Sequence, residues 1–279
     1  MMNYKTSFLI LLFNGFFLIT FGQLTLAPLP KCKNGFIVIA HRGSHLIKPE
    51  NSIAAIEEAI DLGADYVEID LRTTRDGHLV LVHNETVDHT TNGKGRIQDL
   101  KLDEVEKLAL NAKDGHIYRL PRFKEALKTC KNRINIYLDF KEADVAQAYE
   151  EIKAAGMEKQ VLVYINKTEQ YQLWRALAPQ MPLMSGLPKH IKTKEELSSF
   201  LDRMPLEATD RIPDPSLVAS IRESGLSVFL DVQMADEDPV KWKAAMDKGV
   251  QGVQTDHPKA LIEYLQTNHI RNGINFSRP

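Results

Sequence analysis

Eight short β-branched runs, each followed by a polar stretch of helical length, are the feature that most narrows what this chain can fold into. The runs are "FIVIA" (36–40), "YVEIDL" (66–71), "INIYLDF" (134–140), "QVLVYI" (160–165), "PLMSGL" (182–187), "LEATD" (206–210), "LSVFLDV" (226–232) and "VQGVQT" (250–255). Runs of this length bounded by turn residues read as strands, and the amphipathic segments between them read as helices. "SIAAIEEAIDLG" offers Gly63 as a C-terminal cap; "DPVKWKAAMDKG" opens with Asp238 as N-cap and Pro239 at the first helical position. Such an alternation over roughly 250 residues predicts an α/β fold, a (β/α)8 TIM barrel. An open doubly wound sheet is the alternative, but no Gly-rich phosphate loop follows the first strand to favour it.

One run breaks the rhythm. "HLVLVH" (78–83) is expected as an additional strand beside the second, and the segment 84–120 behind it is too long for an ordinary βα loop. It reads as a small insertion, with a turn at Asn92-Gly93 and a short helix around 102–109. The first 22 residues differ from the rest: Lys5 precedes the apolar "SFLILLFNGFFLITF", and Gly22 stands at the exit. That is the pattern of a signal peptide, 1–22, ahead of one domain, 23–279. A retained anchor is the alternative, but Asn14 and Gly15 interrupt a run already short for a span of ~20 residues. The expectation is an exported chain, periplasmic or secreted, with no stable membrane insertion after cleavage. Cys32 and Cys130 could pair in that setting, although their spacing does not require it.

A formal charge of −2 leaves no basic footprint, so a nucleic-acid partner is not expected. The charge is concentrated instead where strands end, which in a barrel is the active-site mouth. The first strand runs into His41-Arg42, with Glu50 and Asn51 shortly after. In the second, Glu68 and Asp70 are two apart and so share a side; in "LDFK", Asp139 and Lys141 do the same. The extra run ends in His83-Asn84. Three carboxylates with no Cys beside them offer hard oxygen ligands, suited to one divalent cation, Mg²⁺ or Ca²⁺. Arg42 and Lys141 would face a phosphate-like anion, and His41 and His83 would form an acid–base pair. Taken singly, each group also fits a plain ion pair or a satisfied strand-end histidine. Jointly, at successive strand ends, they describe phosphoryl chemistry better than sugar hydrolysis, which needs two opposed carboxylates and no Lys.

"HRG" with the following "PEN", then "GADYVEIDLRTTRDGHLVLVHN" (63–84) and "GVQGVQTDHP" (249–258), resemble the glycerophosphodiester phosphodiesterase family over nearly all of the chain after residue 22. The resemblance implies a barrel that hydrolyses small phosphodiesters of glycerol, with His41 and His83 catalytic and Glu68, Asp70 and Asp139 holding the metal. It places Arg42 and Lys141 on the phosphate, and Glu50 and Asn51 at the edge of the site, bracing His41 or touching substrate. Three positions depart from the family's pattern: Asn84 for Asp, Asp139 for Glu, and "FLDVQ" (229–233) for an aromatic-rich run. The implied products are an alcohol and glycerol phosphate, formed through a cyclic phosphate or by direct attack of water. A phospholipase acting on intact lipids through the same polar residues, and a weakly active glycerophosphoryl-binding barrel, are the other readings. The head group and the oligomeric state are not legible in the residues.

Overall fold

A computed structural model describes residues 26–234 and 236–271; the expected signal peptide, 1–22, lies outside them. The elements are β1 (Ile37–Ala40), α1 (Ile53–Leu62), β2 (Tyr66–Thr73), β3 (Leu79–Leu81), α2 (Leu102–Val105), α3 (Phe123–Cys130), β4 (Asn135–Glu142), α4 (Val145–Ala155) and β5 (Val161–Ile165). They continue with α5 (Thr168–Leu177), β6 (Leu183–Met184), α6 (Lys194–Arg203), β7 (Ala208–Thr209), α7 (Val218–Glu223), β8 (Ser227–Asp231), α8 (Pro239–Asp247), β9 (Gly252–Thr255) and α9 (Pro258–Thr267). Eight parallel strands run in the order β1-β9-β8-β7-β6-β5-β4-β2, and pairing of β1 with β2 closes the barrel. The expected fold class is the one observed, and β3 adds to β2 in antiparallel sense.

Successive residues of a strand face opposite sides, and the sequence uses both. Val38, Val67, Ile69, Ile136, Leu138 and Phe140 pack outward against the helices, in the main hydrophobic core. Ile39, Tyr66, Tyr137, Leu162, Met184, Ala208 and Phe229 fill the barrel interior. The caps form as expected: Gly63 is left-handed at φ 79°, and the Asp238 side chain accepts from the N–H of Lys241 at 2.9 Å.

Two expectations need shortening. β6 and β7 hold two residues each and meet through a single pair, Met184 with Ala208. Pro182 offers no ladder donor, and Gly186 has no side chain to pack against a neighbour. In the insertion, α2 stops at Val105 instead of near 109. Leu110 turns back to bridge Thr91 and Tyr118, and joins Val80, Val82, Val87, Ile97 and Val105 in a separate small core. The cysteines are both free; Cys130 is buried in the main core, where burial pushes its thiol to about 12. Among the described residues no helix is long and apolar enough to cross a membrane.

The N-terminal end of the barrel is stoppered by the chain that precedes β1. Tyr66 donates its hydroxyl to the Pro30 carbonyl at 3.2 Å, and Asn135 donates to the Lys31 carbonyl at 3.0 Å. The buried Glu207 carboxylate gathers the N–H of Ala27 (3.0 Å), the N–H of Leu183 (2.7 Å) and the Arg175 guanidinium (2.8 Å). Removing the cation from such a pair strands a buried carboxylate. Arg175→Leu is therefore expected to cost about 3–5 kcal/mol in denaturant unfolding. Because this end is remote from the mouth, turnover per folded molecule stays as in the parent; a matching loss of kcat at unchanged stability would refute that placement.

Candidate active site

At the opposite end, β2 carries Glu68 and Asp70 into the interior, where they are 2% and 0% exposed. β4 brings Asp139 opposite Asp70 in register. Carboxylate oxygens of Glu68, Asp70 and Asp139 lie within 4.8 Å of one another. Burial, then the charges of Asp70 and Asp139, push the Glu68 carboxyl well above its usual range. That is negative charge short of compensation, and Asp70 Oδ1 is buried without a hydrogen-bond donor. Lys141 Nζ approaches it at 3.3 Å and donates to Asp139. An all-oxygen set of this kind fits a hard divalent cation.

The loop after β1 is shaped around those acids. Arg42 (φ 50°) and Asn51 (φ 57°) both hold left-handed conformations, costly for the Arg and tolerated by the Asn. In return the Arg42 N–H donates to Glu68 Oε2 at 2.8 Å, and the Asn51 amide clamps Asp70 from two directions. Its Nδ2 donates to Asp70 Oδ2 at 2.7 Å and its Oδ1 accepts from the Asp70 N–H at 3.0 Å. Gly43 follows at φ 84°, and a Cβ there would sit 2.7 Å from the Ala55 backbone. Arg42 Nη1 donates to both Glu50 oxygens at 3.0 Å. Burial alone would lower the Arg42 guanidinium, but the facing carboxylates Glu50, Asp70 and Glu68 outweigh it. Lys141 is held charged in the same way by Asp70 and Asp139.

The brace expected for His41 comes from elsewhere than Glu50 and Asn51. Asn51 is 2% exposed and spent on Asp70, which leaves it no face for a substrate. His41 Nδ1 instead donates to Asp256 Oδ1 at 2.6 Å, across 215 residues. The carboxylate can only accept, so the proton sits on Nδ1 and the Nε2 lone pair faces Glu68 at 3.9 Å. Burial lowers the His41 pKa below the ordinary histidine value despite the Asp256 bond. Burial raises the Asp256 carboxyl, but the His41 bond and charge pull it net below its usual range. His45 completes the support, donating Nδ1–H to the His41 carbonyl at 2.8 Å and packing edge-on at 5.6 Å.

His83 comes alongside the Asp70 backbone by an unexpected route. Since β3 runs against β2, the chain descends from the rim, and the Val82 N–H bonds the Asp70 carbonyl at 3.1 Å. Arg72 donates to the His83 carbonyl at 3.0 Å while pairing with Glu142. Asn84 orients His83: its Oδ1 accepts from His83 Nδ1 at 2.8 Å.

The structure thus joins His41, Arg42, Glu50, Asn51, Glu68, Asp70, Asp139 and Lys141 in one network, with His83 anchored beside Asp70. Asp256 and Asn166, which donates to Asp139 Oδ1 at 2.7 Å, were missed. The "TDHP" turn held the signal for Asp256, as a carboxylate two residues past Gln254 on the last strand's inner face. His116 stays exposed on the insertion, and His257 only precedes α9.

A model of the Glycerophosphoryl diester phosphodiesterase family matches residues 41–260. A glycerophosphodiester phosphodiesterase of Caldanaerobacter subterraneus subsp. tengcongensis is 32% identical over 252 residues, 82% of this chain and 98% of that one. Among solved structures, a glycerophosphodiester phosphodiesterase of Agrobacterium tumefaciens superposes with a TM-score of 0.71 at 24% identity, covering 81% of this chain and 99% of that one. An Oleispira antarctica phosphodiesterase, solved with the product sn-glycerol-3-phosphate, gives 0.69 at 22% identity, covering 82% and 96%. The two structures speak for the fold alone; with the family match spanning most of its length, the chain belongs to the glycerophosphoryl diester phosphodiesterase family.

Proposed function

We propose that the chain hydrolyses small glycerophosphodiesters to an alcohol and glycerol 3-phosphate, with His41 and His83 as the acid–base pair. The observation that carries this reading is the clustered triad of buried Glu68 and Asp70 with half-buried Asp139, close to a histidine whose far nitrogen is tied to Asp256. The named activity of the relatives, and the sn-glycerol-3-phosphate held by the Oleispira phosphodiesterase, support it.

The triad would hold one divalent cation, Mg²⁺ or Ca²⁺, which supplies Lewis-acid polarisation of the phosphodiester when bound. Arg42, steadied by Glu50, and Lys141 place positive charge against the phosphate oxygens. His41 is neutral at working pH and offers Nε2 as the base. It takes the proton of the attacking hydroxyl, either the glycerol hydroxyl next to the phosphate or a water. Asp256 then stabilises the imidazolium. His83, its Nδ1–H donated to Asn84 Oδ1, acts as the acid in its imidazolium form, giving the Nε2 proton to the departing alcohol oxygen and leaving a neutral ring. A cyclic phosphate formed in the first case is opened by water with the two roles reversed. The N-terminal 22 residues support an exported setting, periplasmic or secreted, in which such an enzyme would process phosphodiesters released from lipids.

The purified chain is expected to release glycerol phosphate from glycerophosphodiesters in Mg²⁺ or Ca²⁺ and to stop in chelator. His41→Ala and His83→Ala should each lower the rate by ~10²–10⁴ while circular dichroism stays native; full activity in either variant, or in chelator, would sink the mechanism.

The pH profile tests His41 separately. A base with a depressed pKa remains unprotonated until the pH falls beneath that value, so the acid limb of kcat/KM should lie below the ordinary histidine value of 6.5. Asp256→Asn removes the group that favours the imidazolium. It should move that limb further down and cut kcat by as much as ~10⁴. An acid limb that shifts upward would show that another group is being titrated.

A further inference from the structure

Two imidazoles meet the Asp256 carboxylate, and the hydrolytic chemistry uses one of them. His41 Nδ1 donates to Asp256 Oδ1 at 2.6 Å, while His45 Nε2 stands 3.5 Å from the same oxygen. The state of the His45 ring follows from its other nitrogen. Nδ1 lies 2.8 Å from the His41 carbonyl and 3.4 Å from the Gly43 carbonyl, and both oxygens can only accept. The proton is thereby fixed on Nδ1, and the neutral ring turns its Nε2 lone pair on a carboxylate. Two electron-rich atoms face each other there, and the gap between them calls for positive charge. The Arg42 guanidinium, whose charge is felt by His41 and Asp256, is itself spent on Glu50 and Asp70.

A proton on Nε2 would fill the gap, and so would a metal ion. Ligand atoms of His41, His45 and Asp256 lie within 4.8 Å of one another. The three side chains are 11%, 19% and 26% exposed, so the cluster is open to ions from solvent. Its chemistry differs from that of the triad: three carboxylates suit a hard cation, whereas two imidazoles with one carboxylate suit a borderline ion such as Zn²⁺. Around tetrahedral zinc the donor atoms stand ~3.3–3.5 Å apart, and His45 Nε2 and Asp256 Oδ1 already do, at 3.5 Å. Only the 2.6 Å contact of His41 with Asp256 has to open. The surroundings hold the ligands in place as the outer shell of a metal site does. His45 is oriented by its bond to a backbone carbonyl. The turn that carries Asp256 is pinned by Glu237, which accepts from the Asp256 N–H at 3.1 Å, the Trp242 indole at 2.5 Å and the Thr255 hydroxyl.

We propose that His41, His45 and Asp256 form a second metal site, for a borderline transition ion such as Zn²⁺, and that filling it stops turnover, an effect that rests on the hydrolytic reading above. The effect follows from the tautomer of His41. An ion at Nδ1 takes the lone pair of that nitrogen, so the ring proton given to Asp256 is carried on Nε2 instead and the ring stays neutral. The lone pair that would accept the proton of the attacking hydroxyl is then gone. The triad keeps its own cation, so the two ions act at different places and in opposite directions.

The test titrates Zn²⁺ by calorimetry into the chain saturated with Mg²⁺, beside His45→Gln, Asp256→Asn and Asp139→Asn. One equivalent is expected to bind the parent. Loss of a ligand in His45→Gln or Asp256→Asn should weaken the Kd at least ~10-fold, the least that losing even an outer-shell partner costs. Asp139→Asn, altered only in the triad, should bind Zn²⁺ as the parent does. Long-range proton–nitrogen correlations of the imidazoles read the tautomer in the parent, with no variant needed: His41 carries its proton on Nδ1 in Mg²⁺ alone and on Nε2 once Zn²⁺ is added. Release of glycerol phosphate from glycerophosphoethanolamine in fixed Mg²⁺ should fall with a midpoint at the Kd. In His45→Gln that midpoint should rise by the same factor as the Kd. Zn²⁺ that binds folded His45→Gln as tightly as the parent, that is lost from Asp139→Asn, or that leaves the His41 proton on Nδ1 overturns the proposal, as does full turnover with the site filled. Binding with the tautomer change in a chain that hydrolyses nothing in Mg²⁺ keeps the site and refutes the hydrolytic reading; hydrolysis in a chain that binds no Zn²⁺ refutes the site alone.

Discussion

Bringing three carboxylates, two buried and the third half-buried, within 4.8 Å of one another is the constraint on which the mouth of this barrel depends. Glu68 and Asp70 share a face of β2, and β4 sets Asp139 beside them. Left alone they would repel and protonate. The surrounding structure answers with donors: the Arg42 N–H on Glu68, the Asn51 amide on Asp70, Lys141 between Asp70 and Asp139, and Asn166 on Asp139. Two residues accept left-handed backbone to reach those positions, and Gly43 lets the loop lie against Ala55. What these donors leave uncompensated is an all-oxygen set of the kind that fits a hard divalent cation.

The barrel divides its polar chemistry between its two ends. At the N-terminal end, Arg175 pairs with Glu207 and Arg271 with Asp65 under the entering chain, with Arg175 Nε and Arg271 Nε and Nη1 left without acceptors. At the C-terminal end the buried groups without partners include acceptors, Asp70 Oδ1 beside Lys141 and Gln254 Oε1. Unpartnered buried groups at either end cost stability. The mouth is further polarised: Arg42 and Lys141 gather on the β1–β4 side, and Asp210 and Asp231 on the β7–β8 side.

Much of this was legible before any fold was in view, for particular reasons. Glu68 and Asp70 could be assigned to one face because strand side chains alternate, and the same rule joined Asp139 to Lys141. His83 was legible as a site residue, but its descent along an antiparallel strand was not, because "HLVLVH" reads the same in either direction. Glu50 and Asn51 were expected from the family resemblance to brace His41 or touch substrate; the turn geometry instead sends their side chains to Arg42 and Asp70. β6 and β7 shrank because Pro182 and Gly186 weaken a ladder whose partners are known only after closure.

By itself, the sequence determined the strand–helix alternation, the number of parallel strands, the caps of α1 and α8, and the identity of the groups at each strand's end. These follow from local periodicity, steric preference and side-chain chemistry, which act over a few residues. Only the tertiary structure decided that His41 leans on Asp256, that Asn84 orients His83, and that His45 meets Asp256 beside His41. Those contacts join residues far apart in the chain through barrel closure, when β1 pairs with β2 on one side and β9 on the other. A closed ring of strands fixes distances between side chains that no local rule encodes.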